Sequence, residues 1–279
     1  MKKMLAFLLS AMMVLSLAAC GSTPAPGSAS SGSSVEEVSG PASWTSADDL
    51  KGARIAVQEG TTGNDVANAI EDAQVSTFKA ATACAMELLN DRVDCVIIDT
   101  NPAQALVAAN PDELMLLPFP ASEDSETYAI ATPKSEGGEA LAAEFNAALK
   151  TLKENGTYDA LVSKYISKEE NVTLPDLVPT DHKGPLVMGT NCEFEPFEYL
   201  TSDGTPTGFD IDLVKYLCAE MGYDISSVEN MDFDALIPAM GSGRIDFIAA
   251  GLTRTPDREE NANFTDGYYE AVQSIVVKK

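Results

Sequence analysis

Short apolar runs alternate with helical periods in two separate series along this chain, and that alternation constrains the fold more than any other feature. The first series opens with Arg54-Ile55-Ala56-Val57, an apolar strand candidate, followed by a helix from about Asp65 with Thr and Asn available ahead of it as caps. Residues 75–78 read as a strand. Residues 81–90 read as a helix with Ala85, Leu88 and Leu89 on one face, and 94–99 as a continuous apolar strand ending in a carboxylate. A helix at 101–109 and strands at 114–117 and 128–132 follow. Residues 139–154 place Leu141, Phe145, Ala148, Leu149 and Leu152 on one helix face and stop at Asn155-Gly156; Thr157 then caps a helix to about Ile166. The second series has a strand at 186–189, helices at 211–221 and 233–240, and strands at 245–250 and 274–277. Such alternation predicts α/β units with largely parallel sheets. The two series do not form equal-length repeats.

Between the two series, residues 167–185 hold charged residues, interior prolines and no helical period, which reads as a connector. The other end of the chain is different in kind. Lys2 and Lys3 precede the apolar run from Met4 to Leu17, and Ala18-Ala19-Cys20 follows, the pattern of a signal peptide. Leu17-Ala18-Ala19-Cys20 looks like a lipobox, with Cys20 as the lipidated residue. The run is short for a membrane span. Residues 21–46 are rich in Ser, Gly, Ala and Pro and lack the apolar mass to bury a core, so they read as a disordered tether.

A formal charge of −25 argues against nucleic acid as a partner, because phosphate binding requires basic clusters. Cys84, Cys95, Cys192 and Cys218 form no close pair, so a zinc site is not expected; buried thiols are the simpler reading, and a Cys84–Cys95 disulfide stays open. His182 is the sole histidine and sits in the connector, so no histidine-based catalytic pair can be built. No cofactor is expected.

Near the end of the chain, Ala250-Gly251-Leu252-Thr253 precedes Thr255-Pro256-Asp257-Arg258. Thr255 suits an N-cap, Pro256 the first helical position and Asp257 the first turn. Arg258 opposes the macrodipole there. An arginine at a helix start is either a receiver of a carboxylate or a solvated partner of Asp257 or Glu259, and the fragment alone leaves both readings open. Asp99, at the end of an apolar strand, faces the crevice where α/β sheets hold ligands, or caps the following helix.

These segments, with Thr190-Asn191-Cys192-Glu193-Phe194-Glu195-Pro196-Phe197 and Asp232-Phe233-Asp234-Ala235-Leu236-Ile237-Pro238-Ala239, resemble the extracellular solute-binding protein family that serves amino-acid ABC transporters. The resemblance implies a two-lobed periplasmic-binding-protein-like (type II) α/β fold with a ligand cleft between the lobes. It implies that Arg258, with Gly251 and Thr253, receives the ligand carboxylate, and that Phe194 and Phe233 flank the ligand side chain near Asn191, while Phe197 is core. Gln58, Thr61 and Thr62 resemble the second-lobe loop that meets the carboxylate, and Asp99 the acid that pairs with the α-ammonium.

The family's opening motifs come last here, so the chain reads as circularly permuted. Lobe 2 is expected at 47–127, a hinge strand at 128–132 and lobe 1 at 133–279, with 167–185 joining the family's usual termini and the last strand pairing beside 128–132. The function implied is a lipid-anchored, extracytoplasmic receptor that hands a polar or neutral L-amino acid to an ABC transporter permease, touching the membrane only through its anchor. Two alternatives stand beside it: an enzyme resembling cyclohexadienyl dehydratases, and a ligand-sensing or incomplete fragment of a longer binding protein.

Overall fold

The structure, a computed structural model, describes residues 40–177 and 183–279. Cys20, the signal-like run, most of the tether and His182 lie outside these residues. No described helix is long and apolar enough to cross a membrane.

The first sheet is built from β1 (Arg54–Gln58), β2 (Gln74–Phe78), β3 (Cys95–Asp99), β4 (Leu114–Pro120) and a strand from far down the chain, β15 (Gln273–Lys278). Its order is β2-β1-β3-β15-β4. β1 runs parallel to β2 and β3, whereas β15 runs antiparallel to β3 and β4. Alternation decides which side chain faces where. Ile55, Val57, Cys95, Ile97, Ile275 and Val277 enter one apolar cluster, and Ala56, Val96, Ile98 and Val276 enter another on the opposite face. Helices α1 (Thr62–Ala69), α2 (Ala81–Leu89) and α3 (Thr100–Ala109) pack on this sheet.

The second sheet has the order β11-β7-β12-β6-β13: β11 (Tyr223–Asn230), β7 (Gly184–Thr190), β12 (Phe247–Ile248), β6 (Ala131–Pro133) and β13 (Ala262–Phe264). β11, β7 and β12 are parallel, and β6 is antiparallel to both β12 and β13. Helices α4 (Glu136–Glu154), α5 (Thr157–Leu161) and α6 (Phe209–Met221) bury Phe145, Leu149, Leu152, Leu161, Leu213 and Leu217 against it. Ser135 caps α4 through the Gly138 N–H at 3.1 Å, and Gly138 is required there: a Cβ would lie 1.9 Å from the Pro133 carbonyl oxygen. The short α7 (Leu236–Gly241) covers the other face with Leu236 and Met240. A small sheet of β8 (Glu193–Phe194), β9 (Glu198–Leu200) and β10 (Pro206–Thr207) precedes α6.

Two segments join the lobes. β5 (Glu126–Tyr128) pairs antiparallel with β14 (Tyr269–Ala271), and beyond this ribbon each strand continues into the sheet of the other half. The chain's first half thereby supplies β6 to the second sheet, and its second half supplies β15 to the first.

Several expectations are corrected. The sheets are mixed rather than largely parallel, because each receives a crossing strand that must enter antiparallel. The last strand does not pair beside 128–132; Tyr128 pairs with Tyr269, and Ala131 and Thr132 pair within the second sheet with β12 and β13. Ile275, Val276 and Val277 are consecutive apolar residues, so the strand must be covered on both faces, and the interior of the first sheet provides that. The boundary of the second lobe at 133–279 therefore overreaches by β15. The tether at 21–46 overreaches too, since Pro41–Ser43 forms a helical turn and Trp44 packs on the apolar cluster beside β15. β11 was not anticipated: its register shift between Ile225 and Ser227 breaks the polar–apolar alternation that marks a strand. All four described cysteines are buried and free, so no Cys84–Cys95 bridge forms.

Candidate functional site

A narrow cavity with about 10 Å³ of free space, room for about one water, lies where the two lobes meet. Every residue singled out from the sequence lines it: Gln58, Thr61, Thr62 and Asp99 from the first lobe, and Asn191, Phe194, Phe233, Gly251, Thr253 and Arg258 from the second. Glu198 and Ala250 complete the lining and were not anticipated. The first-lobe residues sit at the C-terminal ends of β1 and β3 or in the turn before α1, where parallel strands present groups to a crevice. Gly251 has φ +51°, and a Cβ there would lie 2.6 Å from the Phe194 ring. The glycine thus lets the β12 loop pass beneath that ring.

The positive end of the cavity is Arg258. Its guanidinium donates 2.7 Å to the Thr253 carbonyl and 2.9 Å to the Gly60 carbonyl across the lobe boundary, with its centre 5.4 Å from the Phe233 ring centroid. Among the described residues no carboxylate pairs with it; Glu259 is held by Arg254 instead. The reading of Arg258 as a solvated partner of Glu259 is therefore excluded. The helix that carries it is short. α8 (Pro256–Glu259) is a single turn, and Thr255 already takes the Arg258 backbone N–H, so the charge rather than a dipole carries the attraction.

The negative end is Asp99. It is 6% exposed, and one of its carboxylate oxygens has no hydrogen-bond partner. It makes no side-chain cap on α3, which removes the capping explanation. Burial, with the nearby Glu126 charge adding to it, pushes this carboxyl up to about 7. Burial also depresses the Arg258 guanidinium. Removed from water, both groups lack their full complement of partners, and such groups favour a ligand that supplies them.

Other polar groups already have partners. Gln58 donates 2.8 Å to Asn191 Oδ1, and Asn191 donates 2.8 Å to the Met231 carbonyl, so this pair fastens one lobe to the other. Thr61 caps α1. Thr62 and Thr253, on different lobes, both donate to one oxygen of Glu126, at 2.6 and 2.7 Å, while Gln273 donates 3.1 Å to the other. Glu126 was missed because nothing in its local pattern marks it; its role arises from the crossing of β5 and β14. At the outer edge, Lys79 bridges Glu59 and Asp234, each at 2.8 Å, and Thr82 meets Glu193 at 3.0 Å.

Behind Phe194, Glu198 and Asp210 lie together, 1% and 0% exposed. Asp210 accepts from the Gly251 N–H at 2.8 Å and the Tyr268 hydroxyl at 2.6 Å. Glu198 has no donor partner on either oxygen. The signal available for it was its place directly after Pro196-Phe197, as the first residue of β9. Among the described residues, no group of His, Cys, Asp and Glu is arranged to hold a metal ion.

Residues 186–279 match the model of the bacterial extracellular solute-binding proteins, family 3. Over 97 residues the chain is 43% identical to the arginine-binding extracellular protein ArtP of Bacillus subtilis (strain 168), covering 35% of this chain and 37% of that protein. It is 41% identical over 92 residues to the histidine-binding periplasmic protein of Escherichia coli (strain K12), covering 33% and 35%. A solved ancestral arginine-binding protein bound to arginine is 40% identical over 31% of this chain and 38% of that one, with a TM-score of 0.30. The chain thus spans little more than a third of the length of the curated relatives it matches. Two mixed-sheet lobes with a cavity between them make this a periplasmic-binding-protein-like α/β fold.

Proposed function

We propose, for a chain whose residues 186–279 match the family 3 bacterial extracellular solute-binding proteins, that it is a two-lobed receptor capturing a small L-amino acid for an ABC importer. One observation carries this reading. A buried arginine without a carboxylate partner and a buried aspartate with an unpartnered oxygen line the same interlobe cavity. Opposite charges lining one cavity are complementary in sign to a zwitterion. The ligand's carboxylate meets Arg258 and its ammonium meets Asp99, while Phe194 and Phe233 line the space for its side chain. Exclusion of water strengthens both charge-assisted contacts. Closure is a population shift toward the state in which both lobes touch the ligand.

Glu198 bears on ligand class. Its unpartnered oxygens favour a side chain that donates hydrogen bonds, which widens the polar or neutral preference to include cationic side chains. Names of relatives that specify arginine and histidine support the same widening. In this reading the receptor is extracytoplasmic, with Cys20 carrying the lipid that tethers it and a permease reading the closed lobes. Its halves are in permuted order relative to the family. Supporting this order, the family-matched segment follows the first-lobe segment, yet its last strand completes that lobe's sheet.

Isothermal titration of the chain with the common L-amino acids tests the reading. Binding at about micromolar Kd by at least one, near −8 kcal/mol, is the expected result. A folded chain that binds none refutes it. One observation keeps an enzymatic reading in play: Asp99, at about 7, is a poised acid inside the cavity. Turnover of arogenate or prephenate would establish that alternative.

A further inference from the structure

We propose that Glu198 and Asp210 share one proton behind the ligand cavity, and that a ligand with a cationic side chain displaces it while a neutral one does not. This rests on the amino-acid receptor reading and adds a proton to its binding equilibrium.

The geometry comes first. Glu198 is on β9, Asp210 on α6, and each is almost wholly shielded from solvent. The Asp210 N–H donates 2.9 Å to the Phe197 carbonyl, which sets the start of α6 against the residue before Glu198, and two buried carboxylates so placed do not both ionise, because neither water nor a counter-ion offsets their repulsion. Asp210 has the better claim to the charge, since the Gly251 N–H and the Tyr268 hydroxyl both donate to it. Glu198 has no donor, and only the carboxylic acid form lets it use an oxygen: its O–H then donates to Asp210. Burial and the Asp210 charge raise Glu198 well above the carboxylate range, while Asp210 rises to about 6, held down by its three donors.

The other ionisable groups around the pair do not neutralise it. Cys192 and Asp99 add repulsion on ionising, and the Tyr268 and Tyr158 hydroxyls are pushed upward and stay neutral. Among the described residues Arg258 is the only cation lining the cavity, and it meets the ligand carboxylate in the proposed pose. Glu198 also lines the cavity, and neither of its oxygens has a hydrogen-bond partner among the described residues.

Two ligand classes then bind differently. An amide side chain donates to the neutral acid and leaves the proton in place. A guanidinium, ammonium or imidazolium makes the ionised form the favoured one. The Glu198 O–H bond breaks, its electron pair stays on the carboxylate, and the proton passes to solvent. Binding of the cation therefore strengthens as pH rises toward the upper step of the pair, about tenfold per pH unit. The amide ligand lacks this dependence.

The test is calorimetric titration of the full chain with arginine and with glutamine near neutral pH, in buffers of different ionisation heat. Asp99 faces the α-ammonium of either ligand, so its own proton cancels in the difference between the two. Arginine is expected to release about one proton more than glutamine. In Glu198→Gln that difference falls to zero, and arginine loses affinity tens of times more than glutamine does. In Asp210→Asn the amide can donate to an ionised Glu198, so arginine binding survives with the excess proton gone. Equal proton counts for both ligands in the unsubstituted chain, or an excess that persists in Glu198→Gln, overturn the coupling. Infrared spectra of the ligand-free chain judge the shared proton on its own: a protonated-carboxyl band that Glu198→Gln removes supports it, and its absence overturns it. If no amino acid binds, the receptor reading falls and the coupling with it, while the infrared band still decides the state of the pair.

Discussion

Replacing Asp99 by Asn is expected to stabilise the ligand-free fold near neutral pH while abolishing amino-acid binding. The carboxyl is raised by burial from an ordinary 3.8 to about 7, so between these values the folded chain holds a proton that the unfolded chain has released. Stability therefore falls as pH rises through that window and is fully retained only below it. Between about pH 4.5 and about pH 7.5 the linkage amounts to roughly 3 kcal/mol, a large share of a typical folding stability. Urea unfolding of both forms at the two pH values isolates it, because Glu198 and Asp210 titrate in both and cancel in the double difference. The asparagine form is expected to lose about 3 kcal/mol less than its parent over the interval. Parallel pH profiles would refute the argument, since they would mean that Asp99 is hydrated or already satisfied. In the receptor reading the ligand ammonium restores what burial costs here, so only the parent should gain thermal stability on adding amino acid.

Three further outcomes follow from the same geometry. Arg258→Ala removes the one cation that lines the cavity among the described residues and should lower ligand affinity by about 30-fold or more, read by calorimetry, with the unfolding midpoint little changed. Gly251→Ala sets a Cβ 2.6 Å from Phe194 on a left-handed backbone and should cost about 1–3 kcal/mol in urea unfolding, together with weakened binding from the displaced ring. Ile275→Ala empties a fully buried position in the first sheet and should cost about 2–5 kcal/mol; a loss below about 1 kcal/mol would mean that β15 is not packed as described.

What the sequence disclosed and what it withheld divide along the range of the interactions. The strands at Arg54–Gln58 and Cys95–Asp99, the helix Glu136–Glu154 and the capped turn at Thr255 were legible because periodicity and caps are local. The residues expected at the site, most of them only through the resemblance of short segments to a known family, line one cavity, a convergence that no local pattern dictates. Glu126 was not, because its role depends on Thr62 and Thr253 arriving from different lobes. Nor was the Glu198–Asp210 contact, whose members belong to separate elements with no shared pattern. The placement of Gln273–Lys278 was misjudged for the same reason. Its apolar run announces burial on both faces, yet cannot say which sheet provides it.

That strand also sets a timetable for synthesis. Ile97 must wait for Ile275, and until Gln273–Lys278 has been made, β3 and β4 each present an open edge in the middle of what will become one sheet. The first lobe consequently cannot mature as soon as its own residues have been translated; the whole second lobe has to be produced before it. β6 is the reciprocal stitch, so neither half can be cut away as an autonomous bead. Long-range pairings of this kind slow folding in general and leave strand edges exposed while a chain is incomplete.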